Sequence, residues 1–187
     1  MYGHVETPLH IAKHLELIRE IQKETDGFTE FVPLSFIYSE APMFKRKIVD
    51  GVRSGASRDE VIKMHAISRL MLNNIRNIQV SWVKEGPEFS QFLLSAGIND
   101  FGGTLINESI STAAGAQHGQ LLRPVEIRRL IRRAGRVPAQ RSTTYKILNI
   151  FDAEPEANEP LDTVDDTDFG SYHQLIKLEK YRFNRQN

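Results

Sequence analysis

The sequence contains no cysteine at all. Disulfides are therefore excluded, and so is any zinc or iron–sulfur site built on thiolates of this chain. Charge of one sign is also lacking: 24 basic residues balance 24 acidic ones. Net charge thus gives no argument for a nucleic acid or a membrane as partner, and neither is expected. No apolar run approaches the roughly 18 residues a membrane span needs. His4 and Glu6 interrupt the opening apolar residues, so no secretory signal is visible and the expected location is the cytoplasm. There is no P-loop, no dinucleotide fingerprint and no Ser/His/Asp signature.

What remains is a chain of 187 residues, 40% hydrophobic and 26% charged, long enough for one domain with a real core. Thr7 and Pro8 read as N-cap and first position of a helix over 7–23, with Leu9, Ile11, Leu15, Ile18 and Ile21 at helical spacing. Residues 28–37 have the composition of a strand, with Pro33 near its end. A loop over 41–56 follows. Ser57 and Glu60 then form a capping box that starts a helix running to about Asn74. Residues 77–84 predict a second strand, with Ile78, Val80 and Trp82 on one face and Gln79, Ser81 and Val83 on the other. Pro87 opens a helix carrying Phe89, Phe92, Leu93 and Ala96, and Gly97 fits its end. Residues 98–104 predict a third short strand, and 124–134 a helix that ends at Gly135. Strands alternating with connections of helical length indicate βα units and a parallel sheet. If residues 1–5 count as a strand, the pattern amounts to half of an eight-stranded barrel.

Several groups could carry chemistry. Gly3-His4-Val5-Glu6 lies between a strand and a helix, where a glycine lets a ligand approach the backbone; a plain turn is its ordinary reading. His10 and His14 have the i, i+4 spacing of a metal pair, but no carboxylate completes a motif, and no metal site is expected. Asp100, Gly102, Gly103, Thr104, Asn107 and Glu108 form a polar cluster after a strand, as at the rim of a barrel. The competing reading is a tight strand–helix turn. Gln79 and Ser81 would look into the barrel, bonded to a ligand or to one another. Arg123, Arg128, Arg129, Arg132, Arg133, Arg136 and Arg141 make a basic stretch, read as a solvated face opposite the acidic segment that follows; nucleic-acid contact is the minor alternative. That segment, 152–168, has eight acidic residues and no basic one.

Four stretches together resemble one family: MYGHVETPLHIAKHLELIREIQKETDGFTEFVPLSF, HAISRLMLNNIRNIQVSWVKEG, AGINDFGGTLINESISTAAGAQHG and GRVPAQRSTTY. They are similar to the second half of the radical-SAM enzymes that include FO synthase subunit 2, aminofutalosine synthase and cyclic dehypoxanthinyl futalosine synthase. The string from Phe101 to Leu105 with Asn107 to Ser111 looks most like the FO synthase member, which leaves the two menaquinone-pathway relatives as the alternative. The resemblance implies the C-terminal half, about strands 5–8, of a (β/α)8 radical-SAM barrel over 1–105. A family C-terminal region at 106–150, an acidic linker at 151–168 and a tail at 169–187 would follow.

It also implies an activity for the whole enzyme: transfer of the hydroxybenzyl group of L-tyrosine to 5-amino-6-(D-ribitylamino)uracil in making the deazaflavin FO of coenzyme F-420. The implied cofactors are S-adenosyl-L-methionine and a 4Fe-4S cluster, and FO synthase subunit 1 is an implied partner. Gly3, His4 and Glu6 would lie on the S-adenosylmethionine side. Gln79, Asp100, Gly102, Gly103, Thr104, Asn107 and Glu108 would be substrate-binding candidates. The family's three-cysteine motif is absent, and Met1 falls where the family has an internal residue of a strand. The expectation is therefore a fragment that is inactive alone, or the non-catalytic half of a split enzyme.

Overall fold

The computed structural model describes residues 1–105, 108–119, 121–152 and 160–163. Helix α1 runs Pro8–Thr25, and the Thr7 side chain accepts from His10 N at its start. The His10 ring accepts in turn from Thr7 N at 3.3 Å, so this histidine is spent on capping, and His14 is exposed. Asp26, in the left-handed region at φ 49°, ends the helix. Of the expected stripe, Leu15 is fully buried and Ile11 and Ile18 pack partly, whereas Leu9 and Ile21 face solvent. Buried Gln22 ties the helix end down by bonding Phe28 N at 2.7 Å and Phe28 O at 3.1 Å.

The strands are much shorter than their sequence patterns suggest. Strand β1 is Glu30–Phe31 only, and β2 is Asn77–Ile78. Between them lie the single turn α2, Pro42–Lys45, inside the expected loop, and α3, Arg58–Met71. Ser57 and Glu60 cap α3 reciprocally as expected, but the helix stops three residues before Asn74. The strand expected over 77–84 breaks at Ser81: Glu85 N bonds back to Ser81 O, and Trp82–Glu85 forms the short helix α4. Trp82 is buried as a helical residue, and Val83, expected beside Gln79 and Ser81, is buried with it. Gly86 (φ 83°) separates α4 from α5, Pro87–Leu93, which buries Phe89 and Leu93 and leaves Phe92 exposed. The strand expected over 98–104 reduces to one bridge at Asp100.

Even so, the extended segments stand in a consistent parallel order. Tyr2 bridges Ser35, Glu30 pairs with Asn77 and Phe31 with Ile78, and Gln79 bridges Asp100. The Asn99 side chain extends the last rung by accepting from Ile78 N at 2.9 Å. A helix or helices lie in each connection: α1, then α2 and α3, then α4 and α5. The mixed α/β class is thus established as parallel βα units.

The principal core lies on one side of this ladder. Ile78, Val80 and Trp82 gather with Val61 and Met64 of α3, Phe89 and Leu93 of α5, and Leu130. Leu130 belongs to α7, Pro124–Arg133, which follows the single turn α6, Ile110–Ala113. Gly135 (φ 70°) lies just past the end of α7, as expected. The chain then makes an antiparallel hairpin that the sequence did not announce, β3 (Ala139–Arg141) against β4 (Ile147–Ile150). Most of residues 151–187, including the expected tail, lies outside the described residues. Pro160–Asp162 is a short turn beside α7. Among the described residues no helix is long and apolar enough to cross a membrane.

Candidate functional site

Two groups of the expected site residues occupy different places. The first is the turn Gly3–Glu6, between the Tyr2 bridge and α1. The Glu6 carboxylate curls back and accepts from the backbone N–H groups of Gly3, His4 (3.1 Å) and Val5 (3.2 Å). His4 Nδ1 stands 2.9 Å from Glu6 Oε2, and Arg53 Nη2 reaches Glu6 Oε1 at 3.3 Å. Burial pushes the Glu6 carboxyl up, but these donors, Gly3 foremost, prevail and hold it at about 2. Gly3 is at φ 89°, and a Cβ there would sit 2.6 Å from Ala56 N. The glycine is therefore required by the 51–56 loop, which also bonds the turn through Arg53 N to His4 O at 2.8 Å.

The second group lies on the side of the ladder that, among the described residues, carries no helix. Gln79 points there, opposite buried Ile78 and Val80, with its bridge partner Asp100 beside it. Asp100 Oδ1 accepts from Gly102 N at 2.6 Å, which folds the Gly102–Gly103 turn over its own carboxylate. Asp100 Oδ2 accepts from Arg141 Nε at 2.5 Å, and Arg141 Nη2 reaches Gln79 Oε1 at 3.3 Å. The Arg141 guanidinium lies 4.1 Å above the Tyr145 ring, and Tyr145 Oη donates to Glu30. Gly102 is at φ 84°, a conformation that favours glycine, and a Cβ there would stand 2.7 Å from Gln79 Nε2 and displace the glutamine. Trp82 Nε1 donates to Gly103 O at 2.7 Å and fixes the far end of the turn. The network Glu30–Tyr145–Arg141–Asp100–Gln79 thus ties three ladder segments to the hairpin.

The structure brings Gln79, Asp100, Gly102 and Gly103 together. Thr104 follows the turn, and its carbonyl accepts from Leu122 N at 3.2 Å. Glu108 turns away from them, because both its carboxylate oxygens accept from Ser111 N, at 3.0 and 3.1 Å, and cap α6. Asn107 lies outside the described residues. Arg141 was expected on a solvated face and is instead the central cation of the site. Arg128 is likewise buried, paired with Asp162 Oδ2 at 2.6 Å, while Asp162 Oδ1 accepts from Val125 N at 2.7 Å. One acidic residue of the expected linker therefore caps α7 and neutralises its inner arginine.

Tyr2, Ser35, Lys84 and Glu85 form a further polar group that no sequence pattern marked. Burial pushes the Glu85 carboxyl up, opposed by a hydrogen bond from Ser35 and by Lys84. Burial holds the Lys84 amine down against the charges of Glu108 and Glu85. Among the described residues, Tyr2 Oη and Glu85 Oε1 are buried without a hydrogen-bond partner. Polar atoms in that condition are costly unless something else bonds them. Their sequence signal was slight, since Lys84 and Glu85 stood at the end of an expected strand. Among the described residues no group of three or more His, Cys, Asp or Glu could hold a metal ion.

Comparison with known proteins gives this geometry a context. The family model described as the CofH/MqnC C-terminal region matches residues 25–154. A 5-amino-6-(D-ribitylamino)uracil–L-tyrosine 4-hydroxyphenyl transferase of Methanocaldococcus jannaschii is 50% identical over 149 residues, which are 79% of this chain and 41% of that protein. Transferase 1 of the same name from Methanococcus maripaludis is 48% identical over 149 residues, with the same shares of each chain. The transferase of Methanothermobacter thermautotrophicus is 48% identical over 147 residues, 78% of this chain and 39% of that protein. The chain thus spans about two fifths of the length of the curated relatives it matches.

Proposed function

The chain belongs to the CofH/MqnC C-terminal region family, and from that premise we propose that it supplies the C-terminal part of a 5-amino-6-(D-ribitylamino)uracil–L-tyrosine 4-hydroxyphenyl transferase, the second subunit of FO synthase. The observation that carries the proposal is the identity of about half over 149 residues. The family match over 25–154 supports it, since that span takes in β1, β2 and the Asp100–Glu108 segment. The parallel order Tyr2–Ser35, Phe31–Ile78, Gln79–Asp100, with a helix in each connection, supports reading 1–105 as four consecutive strands of a (β/α)8 barrel. Residues 106–150 are then the family's C-terminal region, whose hairpin reaches back to the ladder through Arg141 and Tyr145.

The residues present do not fit an iron–sulfur cluster, because the chain has no thiolate to ligate one. Cluster ligands would belong to the part of the relatives that this chain does not span, and no radical step is assigned to its residues. For S-adenosylmethionine the fit is that of a wall. The Gly3–Glu6 turn offers backbone and the His4 ring, whose centroid lies 5.6 Å from that of Phe36, while the Glu6 carboxylate is taken up in shaping the turn.

The substrates fall to the other group. Asp100 is already neutralised by Arg141 and bonded by Gly102 N, so it serves as a positioning group rather than as a base. Gln79, Gly102, Gly103 and Thr104, with Asn107 and Glu108 further on, would set the polar edge against which tyrosine and the ribitylaminouracil are oriented. Partnership with FO synthase subunit 1 follows from the family reading alone.

The test joins this chain to the portion of the Methanocaldococcus relative that it does not span. The joined protein is loaded anaerobically with iron, sulfide and S-adenosylmethionine and given both substrates. Mass spectrometry should find the tyrosine-derived adduct of the aminouracil, reduced about 100-fold by Asp100→Ala if misplacement is the defect. A soluble, cluster-loaded protein that makes no adduct would overturn the proposal.

A further inference from the structure

A groove of about 1100 Å³ runs from the loops before β2 and Asp100, past α5 and α7, to the hairpin. Its walls are apolar, with Leu94, Ile98, Phe101, Ile127, Ile131 and Phe151 among them. Its charged lining is one-sided: Arg69, Arg76, Arg128, Arg136 and Arg141 against the single acid Asp100.

Two of these cations have their counter-charge, Arg141 in Asp100 and Arg128 in Asp162. Among the described residues the other three do not. Arg69 is half-buried and spends its donors on neutral acceptors: Gly97 O at 2.7 Å, Arg76 O at 3.0 Å and Asn99 Oδ1 at 2.7 Å. Burial holds its pKa below the ordinary value, as expected of a cation that faces no acid. Arg76 and Arg136 are exposed into the groove, and among the described residues neither meets a carboxylate. Three like charges on one concave surface with apolar walls repel one another and focus a positive field into the groove.

The chemistry of the anion follows from the count and the walls. A single carboxylate would leave two of the three charges unmet, whereas a phosphate monoester carries close to two negative charges and three acceptor oxygens. The exposed forks of Arg76 and Arg136 match phosphate geometry with paired hydrogen bonds, while Arg69, its donors already spent, adds its charge. The apolar walls suit a flat ring rather than a bare ion. We propose that the groove lined by Arg69, Arg76 and Arg136 binds a phosphate monoester carried on an aromatic ring. The site goes beyond the transfer reaction: Arg69, Arg76 and Arg136 are not among the expected substrate-binding residues, although Asp100, Gly102, Gly103 and Thr104 line the same groove.

Four probes separate the elements of the proposal in calorimetric titrations of this chain at low salt: AMP, adenosine, inorganic phosphate and benzoate. AMP should bind saturably and about 10-fold or more tighter than each of the others, weakening as salt is added. Arg76→Ala with Arg136→Ala should lower AMP affinity by about 10-fold or more without shifting the unfolding midpoint, since both side chains are exposed. The site is refuted if AMP fails to bind at millimolar concentration or binds no better than adenosine. Benzoate as tight as AMP, or a double variant that binds AMP like the parent, refutes it equally. None of these readouts involves the transferase activity, so failure here and failure of the functional proposal are distinguishable.

Discussion

The two sides of the parallel ladder are built on opposite principles. On the helix-covered side Ile78, Val80, Trp82, Val61 and Met64 are buried together, and specificity comes from shape. On the helix-free side Glu30, Gln79 and Asp100 are joined through Arg141 and Tyr145, and specificity comes from direction and charge. An apolar interface of the first kind has essentially one packing, because interiors are close to crystal density. A polar network of the second kind can exchange one partner for another of like chemistry, which is what a binding surface requires. The two sides meet at Trp82, whose ring fills the core while its Nε1 bonds Gly103 O across the turn.

That joint should give the largest effect. Trp82→Ala removes the largest fully buried side chain and orphans a carbonyl of the glycine turn. A loss of about 3–5 kcal/mol is expected by urea denaturation. Trp82→Phe should recover most of the packing but not the hydrogen bond, and so leave a residual loss of about 1 kcal/mol. If Trp82→Ala cost no more than an ordinary surface change, the helix-covered side would not be the core of the molecule.

The polar side is tested by a double-mutant cycle. Asp100→Ala strips Arg141 of its counter-charge and Gly102 N of its acceptor, and should cost about 2–3 kcal/mol. Arg141→Ala should cost a similar amount. The double variant should cost clearly less than the two together, with a coupling of about 1 kcal/mol or more in thermal unfolding. Additive losses would show that the hairpin is held to the ladder by something other than this pair.

How far the sequence foretold the two sides also differs, for physical reasons. Helix starts were legible because a cap is a local device: Thr7 with Pro8, and Ser57 with Glu60, act within three residues of themselves. Gln79 was legible as standing on the face opposite Ile78 and Val80 because alternation is local too. Strand ends were not, since the alternating pattern of 77–84 continues through residues that fold as α4 once Ser81 O receives Glu85 N. The hairpin was missed because β4 is exposed throughout and its turn uses Tyr145 at φ 62° where glycine would have announced it. Arg141 was misread for a different reason: its partner lies 41 residues away, and a charge run looks solvated until the fold places an acid beside one member.

The smallest expected effect is a pH dependence confined to the helix-covered side. His65 of α3 is completely buried there, with Nδ1 2.8 Å from Val61 O and Nε2 without a partner among the described residues. The i−4 carbonyl requires a proton on Nδ1, and burial, the larger effect, favours the neutral ring and holds its pKa below the ordinary 6.5 despite that bond. Above pH 6.5 both folded and unfolded chains carry a neutral ring, and the residue makes stability no more pH-dependent. Below it the unfolded chain takes up a proton that the folded chain refuses, so stability falls with pH until the folded ring itself titrates. The loss is at most about 1.4 kcal/mol per pH unit in that window. Unfolding of the parent and of His65→Gln, which keeps a donor but does not titrate, should therefore diverge as pH falls below about 6.5. Glu6 does not confuse the comparison, because the stability its depressed carboxyl contributes is constant above about pH 4.5 and is lost only between there and about pH 2. Parallel curves for the two proteins would mean that water reaches His65, and that the covered side of the ladder is less dry than its packing implies.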